Sequence, residues 1–178
     1  MYRKPVALLL SAVFTVCAIA AGADAAPTPV PDAKRDLSSM AFLVGSWTCE
    51  SVLRGSKRPN ATTFTMDYEG HWLKGHDVAP AFDKYRKRAL TTDTWTGYNA
   101  VKRLWVQTSV DDFGGYGIST SPGWKGKKIT FTTVVTPDGS SGVDTLTKVS
   151  DTETSDTFVG KDKNGKPQPT QTTVCKKG

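Results

Sequence analysis

Histidine carries much of the acid, base and metal chemistry available near neutral pH, and this sequence has two, His71 and His76. Five residues apart, they fall on opposite faces of an unbroken strand, so a shared metal would need a bulge between them. Asp111 and Asp112 are adjacent carboxylates that could ligate Ca²⁺ or act as acid and base. They precede Phe113-Gly114-Gly115, however, and in such turns Asp ordinarily accepts hydrogen bonds from local backbone N–H groups. Ser119 and Ser121 have no neighbouring histidine, and there is no Gly-x-Ser-x-Gly elbow. A phosphate loop, a dinucleotide fingerprint and Cys-x-x-Cys pairs are also missing. The expectation is a protein without catalytic residues, metal or cofactor.

The remaining candidates are aromatic, sulfur-bearing or basic. Trp47, Trp72, Trp95, Trp105 and Trp124 each bring a large apolar area and one polar atom, suited to a core, a pocket lining or an outer patch. Lys84-Tyr85-Arg86-Lys87-Arg88 concentrates four cations, which reads as a solvated loop face or as a surface for anionic headgroups. Elsewhere the positive charges are scattered through turns, so no nucleic-acid footprint is present.

Cysteine chemistry depends on the N-terminus. Arg3 and Lys4, the apolar or small run Val6 to Ala21, and Ala23-Asp24-Ala25 form the three parts of a secretory signal peptide over residues 1–25. Sixteen apolar or small residues fall short of the roughly 20 that span a bilayer, so no stable membrane anchor is expected after cleavage. Cys17, as a lipidation site, lacks the preferred small residues before it. Removing Arg3, Lys4 and Asp24 from 23 basic and 17 acidic residues leaves 21 and 16, a charge of +5. Loss of Cys17 leaves Cys49 and Cys175, which in an oxidising compartment read as one disulfide, two free buried thiols being the alternative. The protein is expected to be secreted or periplasmic.

The elements that must position these residues are strands. Residues 26–35 carry Pro27, Pro29 and Pro31 and read as a flexible, Pro-rich leader. Leu37, Met40 and Leu43 recur every three residues, giving one short helix capped by Asp36. From Ser46 the chain becomes short Thr-, Val- and aromatic-rich segments separated by Gly, Asn, Asp and Pro. Ten strands are predicted: 46–53, 62–69, 71–78, 91–98, 103–111, 115–121, 128–135, 143–150, 152–161 and 166–176. Asp112 to Gly115, Pro137-Asp138-Gly139 and Asp162 to Gly165 supply hairpin turns. This describes an all-β fold over 36–178, an up-and-down antiparallel barrel, with a sandwich as the other possibility. First and last strands are neighbours in such a barrel, which places Cys49 beside Cys175. Phe64, Met66 and Tyr68 share one strand face, as do Ile129, Phe131 and Val135. For Trp105 to Val110 the alternation leaves either face free to point inward. Abundant Thr would leave hydroxyls inside a barrel, making its interior wet or ligand-filled.

Phe42-Leu43-Val44-Gly45-Ser46-Trp47 resembles the Gly-x-Trp entry of calycins, in which Gly45 would turn the chain from a closing helix into the first strand and Trp47 would plug the barrel floor. Asp111 to Gly117, Thr120-Ser121-Pro122-Gly123-Trp124, Thr130-Phe131 and Cys175-Lys176-Lys177 together resemble the lipocalin-like bacterial domain-of-unknown-function family 1579, over about Leu37 to Lys176. The resemblance implies a calycin-type barrel and no established activity. Fold relatives include lipid carriers, fatty-acid-binding proteins and haem-binding nitrobindins. The last take their haem ligand from a histidine in the C-terminal part of the barrel, and the last hundred residues here contain none. The expected function is non-catalytic binding of a small apolar ligand, with Phe64, Met66, Tyr68, Trp105 and Phe131 as its lining. The rival readings are an envelope interaction or inhibitor protein whose barrel its own side chains fill, and an enzyme whose site is unrecognised.

Overall fold

The computed structural model describes residues 37–82 and 86–178. Signal peptide, Pro-rich leader and the Asp36 cap lie outside the described residues, as do Lys84 and Tyr85 of the basic run. Among the described residues no helix is long and apolar enough to cross a membrane.

A 3₁₀ helix over Ser38–Leu43 precedes eleven strands. They are β1 (Gly45–Leu53), β2 (Ser56–Asp67), β3 (Trp72–Ala79), β4 (Leu90–Asn99), β5 (Leu104–Asp111), β6 (Tyr116–Ser121), β7 (Trp124–Lys125), β8 (Lys128–Val135), β9 (Ser141–Lys148), β10 (Glu153–Lys161) and β11 (Gln171–Lys177). Each pairs antiparallel with its sequence neighbour, β1 pairs with β11, and β6 bypasses the two-residue β7 to pair with β8. Ten strands thus close into a barrel and leave no free edge, which removes the unpaired N–H and C=O groups an open sheet would expose. The expected antiparallel barrel is present, and the sandwich is excluded by the closure.

The departures from the predicted strands have local causes. β2 begins six residues early because Arg54 and Gly55 both take positive φ, 54° and 76°, forming the two-residue turn that suits a tight hairpin. Pro59 is tolerated there because this part of β2 pairs with β1 alone, so the missing N–H breaks no second ladder. β11 starts only at Gln171, after Pro167 and Pro169. β2 stops at Asp67 because Tyr68 and Glu69 enter the left-handed region, φ 47° and 59°, and a 3₁₀ turn separates β2 from β3.

One end of the barrel is a packed apolar floor. Leu37, just before the 3₁₀ helix, and its Met40 and Leu43 are buried against Trp47, Leu73, Trp105, Ile129 and Phe131. Gly45 takes φ 124°, a conformation L side chains rarely adopt, and so lets the chain swing from this plug into β1. Trp47 is buried, and its Nε1 donates to the Leu43 carbonyl at 2.6 Å, tying plug to wall. Lys177 Nζ reaches the same plug, donating to the Phe42 carbonyl at 2.9 Å. Cys49 and Cys175 are directly opposed in the β1–β11 pair and are joined as a disulfide, with Cα atoms 4.0 Å apart.

Candidate functional site

Alternation fixes which side chains enter the barrel. On β2 the inward series is Arg58, Asn60, Thr62, Phe64 and Met66, facing Asp77, Gly75 and Leu73 on β3. On β4 and β5 it is Thr94, Thr96 and Tyr98 with Ser109, Gln107 and Trp105. On β9 to β11 it is Asp144, Leu146, Thr154, Asp156, Thr173 and Cys175. Above the floor these residues enclose a cavity of about 200 Å³. Met40, Leu43, Trp47, Phe64, Leu73, Phe131 and Leu146 form its apolar wall, and Asn60, five threonines, Gln107, Asp144 and Asp156 its polar one. Phe64 keeps its place by lying over Gly75, where an added Cβ would come within 2.9 Å of the ring and 2.7 Å of Thr94 Oγ1.

The polar wall is organised around carboxyl groups. Asp77 Oδ2 accepts from Asn60 Nδ2 at 2.5 Å and from Thr62 Oγ1 at 2.7 Å. Asp144 and Asp156, on neighbouring strands, are half-buried and lie close enough to perturb each other. Burial raises both above the ordinary carboxylic-acid range, and in Asp156 the charge and hydrogen bond of Asp144 add to it, to about 9. The pair as a unit therefore retains a proton at neutral pH. Among the described residues no basic side chain lines the cavity. The nearest inward cation on β2, Arg58, stacks on Phe82 at 4.2 Å.

Of the five residues expected to line a ligand site, Phe64 and Phe131 line this cavity. Trp105 points inward but belongs to the floor, packed edge-on against Tyr98 with ring centroids 5.7 Å apart. Met66 has the inward phase but lies beyond the cavity and is 39% exposed. Tyr68 is a correction: the chain leaves the strand before it, so alternation no longer applies, and it is 66% exposed in an outer groove with Trp72, Trp95 and Thr108. Val135 is another. It pairs with Ile118 while Thr133 pairs with Ser119, so a bulge at Val134 turns Val135 from the Phe131 face to the outer one.

The remaining candidates are held in local structure. His76 Nδ1 lies 2.6 Å from Asp93 Oδ1 on the outer face, and His71 ends the turn after Gly70. Asp111 Oδ1 accepts from Phe113 N at 2.9 Å and Gly115 N at 2.8 Å, while Asp112 bonds Arg88 and the Thr91 N–H. Arg86 donates to the carbonyls of Ala79 and Pro80. Sequence reasoning missed Asn60, Asp144 and Asp156. Asn60 fell in an assumed loop. The signal for the other two was available, since Asp144 alternates with Leu146 and Asp156 with Thr154 and Phe158 on strands that were correctly placed.

No family model matches the chain, and no curated protein does. Among solved structures it is similar to Rv2717c from M. tuberculosis, with 12% identity and a TM-score of 0.62 over 83% of this chain and 99% of that one. That likeness shows a shared fold. A protein with unknown function from the DUF3598 family of Nostoc punctiforme PCC 73102 aligns over 80% of this chain and 99% of its own, at 6% identity and a TM-score of 0.21, too low to carry an argument.

Proposed function

We propose that this is an exported, calycin-type binding protein that takes a small ligand into its barrel and performs no chemistry on it. The observation that carries the reading is the cavity of about 200 Å³, walled by Phe64, Leu73, Phe131 and Leu146 on one side and by hydroxyl, amide and carboxyl groups on the other. Such a lining suits a compact amphipathic molecule, with apolar surface for affinity and a few polar groups for orientation. The small, largely apolar ligand expected from the sequence fits only if it also carries a polar group for the carboxyl and amide side of the wall. Support for export comes from the N-terminal pattern and from the disulfide, which belongs to oxidising compartments. Resemblance to the lipocalin-like family 1579 is consistent with a carrier.

The outer groove of Tyr68, Trp72, Trp95 and Thr108 favours a second reading, an interaction protein that uses its outer wall. Saturation-transfer NMR with 2-phenylethanol tests the first. The probe should contact the protein, and Phe64→Asp should weaken binding at least about tenfold, since it puts a charge in the apolar wall. Met66→Asp, outside the cavity, should bind like the wild type. No contact from either 2-phenylethanol or its isostere 2-phenylethylamine would sink the carrier reading, and native mass spectrometry of the purified mature protein should reveal a co-purifying molecule if it is right.

A further inference from the structure

We propose that the polar end of the ligand is a protonated amine, seated on the Asp144/Asp156 carboxyl pair with Asn60 Oδ1 as a further acceptor. The inference rests on the carrier reading above and names the chemistry of what is carried.

Three observations converge. The cavity lining includes two carboxyl groups and no Lys, Arg or His, so its electrostatic deficit is for a cation. Apolar groups make up the opposite wall, and the low local dielectric strengthens any charge-assisted hydrogen bond formed there. The third observation is independent of the acids. Asn60 borders the same cavity, and its Oδ1 is buried with no hydrogen-bond partner among the described residues. The amide cannot relieve this by flipping. Its Nδ2 is committed to Asp77 Oδ2 at 2.5 Å, and a flip would set the Asn60 carbonyl against that carboxylate. An orphaned buried acceptor is costly, and a donor from the ligand satisfies it.

Within the cavity lining the buried unpartnered group is an acceptor, which selects a ligand that donates; the unpartnered donor nearby, Arg58 Nε, lies outside the lining. An ammonium has several N–H donors and no acceptor of its own. An alcohol offers a single donor and adds an oxygen that must itself be satisfied. Arg58 does not supply the missing charge, being stacked on Phe82 outside the lining. A cavity of about 200 Å³ is somewhat larger than the roughly 150 Å³ cavity known to take a benzene ring, so the amine carries one ring or a short alkyl chain.

The test compares 2-phenylethylamine with 2-phenylethanol, near-isosteres that differ in the group meeting the acids. Dissociation constants are measured by NMR titration at pH 7 on the unaltered protein and on the Asp144→Asn, Asp156→Asn double variant. The amine should bind the wild type at least about tenfold more tightly, the effect of one charge-assisted contact. In the double variant that preference should vanish while the alcohol still binds. Alcohol binding as tightly as amine to the wild type would overturn the inference and leave the carrier reading standing. If neither binds, both fall. An amine preference that survives in the double variant would overturn the assignment to these carboxyls. Should the double variant not fold, the wild-type comparison decides alone.

Discussion

Replacing Asp156 with Asn should change how stability depends on pH, and the structure gives both sign and size. Asp156 is raised to about 9, by burial first and then by the neighbouring Asp144. An unfolded Asp titrates near 3.9, so between about pH 4 and pH 9 the folded protein holds a proton that the unfolded chain releases. Stability from this site is full below the unfolded value and declines as pH rises toward the folded one, by at most about 1.4 kcal/mol per pH unit. Asn cannot titrate, yet its amide can still donate to Asp144. Between pH 6 and pH 8 the stability difference should therefore move in favour of Asp156→Asn by about 3 kcal/mol, the full-proton limit for two pH units. On a domain of this size that is roughly 6–12 °C in Tm. Urea unfolding followed by Trp fluorescence across that range reads the difference directly. Asp93 cannot mimic the effect. Its pKa is lowered, chiefly by the hydrogen bond with His76, so its contribution is present above about pH 4 and lost only as pH falls through the depressed value. Groups away from the pair cancel in the difference, whereas Asp144 is coupled to Asp156 and its titration is part of what the difference reads. Parallel stability curves from pH 6 to pH 8 would refute the reasoning, because they would mean that the folded pair holds no extra proton.

Changing Cys49 and Cys175 together to Ser should lower stability by about 2–5 kcal/mol, since the bond links residues 126 apart and the chain-entropy estimate for so long a loop lies near the top of that range. Urea midpoints of the mature protein with and without reductant check it, and two free thiols in unfolded, unreduced material would contradict the bond. Trp47→Phe keeps most of the buried ring but removes the 2.6 Å bond from Nε1 to the Leu43 carbonyl, so it should cost about 1–3 kcal/mol and loosen the 3₁₀ plug. Hydrogen exchange at Met40 to Val44 reports the loosening, and unchanged protection there would argue against the tie.

What the sequence disclosed about the fold came from side-chain period and turn chemistry, both of which act locally. Phe64 and Phe131 alternate cleanly and do line the cavity, and the Leu37, Met40, Leu43 spacing does form the plug. Failures came where a backbone event resets the period. Left-handed φ at Tyr68 and Glu69 and the bulge at Val134 each turn the following side chain over, and neither position carries the glycine that normally announces such a change. Trp105 shows a different limit: both faces of its strand hold apolar residues, so period alone could not orient it. The acids were passed over because Asp144 and Asp156 are twelve residues apart on separate strands, and the diagonal proximity that couples them exists only once the β9–β10 register, Asp144 opposite Phe158 and Asp156 opposite Leu146, is set.

That register also explains why the barrel is hollow where it is. At the floor the inward strand positions carry Leu, Ile, Phe and Trp, which fill the space between walls and are supplemented by Leu37, Met40 and Leu43 of the N-terminal plug. One level higher the inward positions become Thr62, Thr94, Thr96, Thr154 and Thr173, whose short side chains cannot meet across the same span. The walls there are spaced by backbone pairing, not by core volume, so substituting Thr does not draw them together and a void remains. Buried hydroxyls must still be satisfied, which is why Thr62 turns to Asp77 and Ser51 pairs with Thr173 at 2.8 Å. The consequence is a division of labour along the barrel axis. Apolar packing, the disulfide and the plug stabilise one end and the seam, while the residues around the void contribute less to stability and more to what the void accepts. Burial in that void raises the proton affinity of both carboxyls, and Asp144 raises Asp156 further, because no cation on the described wall offsets their charge; a cationic ligand would supply that charge.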